Sequence, residues 1–161
     1  MGGFGGWSLH GHASPEGVEA IAQEAADSFA VYSPDRIQPV EMRADGLPAL
    51  VAWAGAHLPR APAIPDLAAS GYRLMGGRIV PTPHGAGLML MYDDDRGTRL
   101  VMLTRPMSVD QDKLMAPHAR NGVAGWSWAT GGMGYSLVGA VNAERLHPLA
   151  DEVRRQVERV S

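Results

Sequence analysis

Between Tyr72 and Val141 the sequence falls three times into a pair of short apolar segments divided by turn residues, and this pattern most constrains its fold. Tyr72-Arg73-Leu74-Met75 and Arg78-Ile79-Val80-Pro81 flank Gly76-Gly77. Gly87 to Tyr92 and Thr98 to Arg105 flank Asp93-Asp94-Asp95-Arg96-Gly97. Ala124 to Thr130 and Gly134 to Val141 flank Gly131-Gly132. Glycine pairs and acid-rich tips between apolar runs are hairpin signals. Pro106 to Asn121 reads as a long polar connection.

Outside this block the period becomes helical. Ser14-Pro15-Glu16-Gly17 supplies a capping hydroxyl, a proline at the first helical position and a carboxylate in the first turn. Val18, Ile21, Ala22, Ala25 and Phe29 then recur on one stripe, which predicts a helix to about Ala30. Ile37 to Met42 reads as a short strand, placed at an edge by Pro39. A second helix is expected over Leu47 to Leu58. A third opens at Asn142, with Leu146, Leu149, Val153, Val157 and Val160 on one face and Pro148 kinking it or delaying its start. The expected fold is α+β: an antiparallel sheet of hairpins, with the N-terminal helices and the C-terminal helix packed on one face.

The chain has 161 residues, enough for one well-cored domain, and 14–161 are assigned to it. Residues 1–13 are glycine-rich, with Phe4 and Trp7 interleaved, and read as a flexible leader or juxtamembrane linker. Cysteine is absent, which excludes disulfides, thiolate zinc sites and cysteine nucleophiles. Fourteen basic residues against seventeen acidic give a net charge of −3 with no basic stripe, so no nucleic-acid partner is expected. No apolar run reaches the roughly 18 residues of a membrane-spanning helix, and no signal peptide begins the sequence. The phosphate loop, nucleophile elbow and His-Glu-x-x-His motifs are missing. Nothing in the spacing sets a base beside a nucleophile, and no enzymatic activity is expected.

Three sets of residues are candidates for binding. Met89 and Met91 alternate and so share one strand face, where Met102 would join them from the hairpin partner. Thioethers with imidazoles suit Cu(I), which makes a periplasmic copper-type Met/His protein the alternative function; the other reading is that these methionines fill the core. His10 and His12 form a His-x-His pair that either chelates a divalent metal or is simply solvated. Trp126 and Trp128 share a strand face opposite Ser127, as an aromatic platform for a ligand or partner, or as core beneath a helix.

Five blocks also carry a resemblance. Phe29-Ala30-Val31-Tyr32-Ser33-Pro34 with Pro39-Val40-Glu41, and Leu50-Val51-Ala52-Trp53, are similar to the first two signatures of the extracytoplasmic region of bacterial transmembrane anti-sigma factors. Pro65-Asp66-Leu67 with Gly71 to Pro81 is the longest block. Leu90-Met91-Tyr92-Asp93-Asp94 and Gly134-Tyr135-Ser136-Leu137-Val138-Gly139 follow in the family's order. The resemblance implies a membrane-anchored regulator whose cytoplasmic part sequesters an extracytoplasmic-function sigma factor, and whose periplasmic domain senses or transmits an envelope stress signal. This sequence lacks the sigma-binding helices, any His-Cys-Cys zinc pattern and the membrane helix. The expectation is therefore the periplasmic piece alone, at the outer face of the inner membrane. Its sigma factor would be engaged through a part outside this chain. Trp7 would lie at the membrane interface. A periplasmic protein, a small ligand or a second copy forming a homodimer are the partners such a domain would meet.

Overall fold

The computed structural model describes residues 15–33, 42–58 and 62–160. Helix α1 (Gly17–Tyr32) leads to a two-residue strand β1 (Met42–Arg43) and helix α2 (Leu47–His57). Six longer strands follow: β2 (Arg73–Thr82), β3 (Gly85–Asp93), β4 (Arg99–Pro106), β5 (Lys113–Arg120), β6 (Val123–Thr130) and β7 (Met133–Gly139). Helix α3 (Ala143–Val160) closes the chain. All neighbouring strands are antiparallel, in the order β1-β2-β3-β4-β7-β6-β5. Two three-stranded meanders, β2-β3-β4 and β5-β6-β7, thus join along β4 and β7.

The α+β class and the sheet of hairpins are as expected, but the helices divide between the two faces of the sheet. Leu88, Leu90 and Tyr92 of β3 pack with Leu50 and Ala54 of α2 and with Leu146, Ala150, Val153 and Val157 of α3. The intervening Met89 and Met91 pack with Ile21 and Ala25 of α1 on the other face. The cause lies in the central strands. Leu88 to Tyr92 and Leu100 to Leu103 are unbroken apolar runs, each residue fully buried. A strand covered on one face alternates apolar and polar side chains, whereas one covered on both does not.

Two of the expected turns are in place: the Asp93 to Gly97 tip and Gly131-Gly132, the latter with φ of 59° and 83°. Gly76-Gly77 is not a turn. Both glycines lie inside β2, which reverses instead at Pro83-His84. A Cβ on Gly77 would stand 2.8 Å from the Met89 carbonyl oxygen, and a register shift falls between Leu74 and Gly76. Close backbone approach and a bulge explain glycine here as well as a turn would.

The stretch expected to be a connection contains β5, the exposed edge strand. Asn121-Gly122, with φ of 54° and 79°, makes the two-residue turn that pairs β5 with β6. Lys113, Pro117 and Arg120 line this strand, residue types that discourage a further strand from pairing with the edge.

The expected cap Ser14 lies outside the described residues, and Glu16, at the observed N-cap of α1, makes no side-chain cap. The Val18 N–H donates instead to Asp110 Oδ2 at 3.2 Å, from the link between β4 and β5. Its C-terminal end is fixed by Arg99, whose Nη1 donates to the Ser33 carbonyl at 2.6 Å. Helix α3 neither starts late nor breaks at Pro148. Asn142 caps it, with Oδ1 accepting the Arg145 N–H at 2.9 Å, and its buried stripe lies on the sheet. Among the described residues no helix is long and apolar enough to cross a membrane.

Candidate functional site

Trp126 and Trp128 do share a face, the one under α3, and Ser127 points the other way. They do not form a free platform. The Trp126 indole donates from Nε1 to the Ala143 carbonyl at 2.6 Å and stacks on His147, with ring centroids 4.2 Å apart. It thereby holds the first turn of α3 to the sheet. Trp128 is 2% exposed and stacks on Tyr135 at 5.5 Å. Its Nε1 is buried and has no hydrogen-bond partner among the described residues. Trp128 also walls a cavity of about 400 Å³ between β5 and α3, together with Lys113, Met115, Thr130 and Arg154.

Met89 and Met91 are 0% exposed beneath α1, in register with Leu103 and Val101 of β4. Met102 does not join them. It pairs with Leu90 and projects to the α2 and α3 face. The expected three-methionine face therefore reduces to two residues, because hairpin register sets which side chains share a face and Met102 is one position out of step. His10 and His12 lie outside the described residues. Among the described residues no three histidine or carboxylate side chains converge on one point.

Two polar clusters were not apparent from the sequence. The first fastens α1 to the sheet. Arg105 of β4 is 2% exposed; its Nε donates to Glu24 Oε1 at 2.6 Å and its Nη2 to Glu24 Oε2 at 3.3 Å. His84, on the turn between β2 and β3, sets Nδ1 3.0 Å from the same Oε2. The remaining capacity of Arg105 goes to the Pro106 carbonyl and the Met107 sulfur. Glu24 is one more polar residue on an amphipathic helix in the sequence, and only the register of β4 shows that a buried guanidinium faces it.

The second cluster does set a base beside a hydroxyl. Ser127 Oγ donates to Ser136 Oγ at 2.8 Å and stands 2.9 Å from His118 Nε2. Both hydroxyls are buried, and the three residues form a satisfied polar patch in the α1-side core. The signal was half present: the Trp-Ser-Trp alternation gives the side on which Ser127 lies. His118 could be placed only once β5 was known to be a strand.

Burial lowers the His118 pKa below the ordinary histidine value. The unfolded chain then binds a proton near pH 6.5 that the folded chain resists. This contribution to stability is fully present above about pH 6.5 and is lost as the pH falls below it. Urea midpoints at pH 7.5 and 5.5 should therefore drop further for the wild type than for His118→Gln. Equal drops would remove the coupling.

Comparison against protein families, curated proteins and solved structures finds no match to this chain.

Proposed function

We propose that this chain is the periplasmic sensing or signal-transmitting domain of a membrane-anchored anti-sigma factor. It acts through binding or conformational change rather than catalysis. The five resembling blocks support this reading, and one observation carries it: residues from separate blocks touch one another. Arg78 of the third block lies over the Tyr32 ring of the first, 4.1 Å from its centroid. The Tyr92 hydroxyl of the fourth donates to the Pro65 carbonyl of the third at 2.7 Å. Gly77 of the third pairs with Leu90 of the fourth across β2 and β3. Blocks scattered over more than sixty residues thus lie against one another in a single fold.

For such a domain to pass a signal, a ligand or partner must stabilise one arrangement over another. The regulated partner is a sigma factor held by a cytoplasmic part that precedes the domain in the family it resembles. Deleting the gene in its source bacterium should raise, at least severalfold, the transcripts controlled by an extracytoplasmic-function sigma factor encoded beside it. Unchanged transcripts, or the lack of any such neighbouring gene, would overturn the reading.

A further inference from the structure

We propose that the cavity beside the first turns of α3 is a binding site for a compact oxyanion of the phosphate type. It measures about 410 Å³ and is walled by Ser70, Tyr72, Asp94, Arg96, Arg145 and Pro148. Three segments meet there: the 3-10 turn Ala68–Ser70 before β2, the turn between β3 and β4, and the start of α3.

Six arginines are already paired with carboxylates. Arg73 pairs with Asp95, Arg99 with Asp93 and Arg105 with Glu24. Arg154, Arg155 and Arg159 pair with acids of α3 itself. Arg96 and Arg145 make no ion pair within 4 Å among the described residues, yet both reach this one cavity. The carboxylate in the wall, Asp94, stays charged beside Arg96, so the wall sets two guanidinium charges against one carboxylate. Asp94 Oδ1 accepts the Arg96 N–H at 2.8 Å and the Thr98 N–H at 3.0 Å. The backbone bond from Arg96 is the leading cause holding its carboxyl below the usual range. Tyr72 also lines the cavity and offers its hydroxyl as a further donor.

The start of α3 adds little by itself, since Asn142 already occupies the Arg145 N–H. The binding groups are side chains: two guanidinium forks, whose planar paired donors match the oxygens of a phosphate, and a phenol. Both guanidinium groups are exposed, so their attraction for an anion is screened by salt and is strongest at low ionic strength. This inference stands independently of the proposed function.

Inorganic phosphate titrated into the full chain by calorimetry at low ionic strength should saturate one site. Arg96→Gln and Arg145→Gln should each weaken it at least tenfold, and Tyr72→Phe by a smaller factor. Arg120→Gln, which removes an arginine on distant β5 that has no ion pair among the described residues, should leave it unchanged. Urea midpoints of the variants confirm that each is folded. A second arm distinguishes the source of the oxyanion, by co-sedimentation with phosphatidylcholine vesicles with and without phosphatidic acid. Binding confined to the acidic vesicles, and lost in the Arg96 and Arg145 variants, identifies a lipid headgroup. Failure in both arms, or equal weakening by Arg120→Gln, overturns the site.

Discussion

Replacing Glu24 by leucine is expected to cost about 3–5 kcal/mol of folding stability, because it leaves the Arg105 charge buried with no carboxylate to meet it. Two of the Arg105 nitrogens donate to that carboxylate, and water cannot substitute at a side chain so enclosed. For a chain of 161 residues the loss corresponds to a fall in melting temperature of roughly 6–20 °C, at about 2–4 °C per kcal/mol. The double variant Glu24→Leu/Arg105→Met should recover most of it, since an apolar pair of similar volume avoids the desolvation cost altogether. Thermal melts of the two single variants and the double variant form the needed cycle. If the double variant is no better than the worse single one, the pair is not what fixes α1 to β4.

Met89→Ala and Met91→Ala should each destabilise by about 2–5 kcal/mol, the range for emptying a well-packed methionine site. Met89→Leu and Met91→Leu should cost less than about 1.5 kcal/mol, because volume is kept. Urea unfolding measures all four. The comparison separates packing from ligation, since leucine fills the same space but offers no sulfur to a copper ion. A leucine variant as damaging as its alanine counterpart would show that these thioethers do more than fill the α1-side core.

The sheet was legible because its evidence is local: paired apolar runs, an acid-rich tip and a glycine pair at 131–132. What escaped depended on long-range geometry. Gly76-Gly77 mimics a turn, and only the approach of β3 shows that it serves a bulge and a close backbone contact. β5 was hidden because an exposed edge strand needs no apolar alternation; its Asn-Gly turn was the available clue. The two-faced sheet was written in the unbroken apolar runs of β3 and β4, which fit a strand covered on both sides better than one covered on a single side. Candidate residues divided in the same way. That Trp126 and Trp128 share a face follows from period two, but their use beneath α3 does not. The Arg105–Glu24 pair joins residues 81 positions apart, and no spacing rule reaches that far.

That separation sets an order of assembly. The polar fastenings of α1 reach across 92 residues to Asp110, 81 to Arg105 and 66 to Arg99. Those to Arg99 and Arg105 cannot form before β4 exists, that to Asp110 waits for the link to β5, and each closes a long loop whose entropy must be offset by contacts made at the same time. On a ribosome, the first helix to emerge therefore waits as an unattached amphipathic segment while more than half of the chain is made. The N-terminal layer of the finished domain is completed late, and until then its apolar stripe has only the β2 and β3 part of its native surface to cover it.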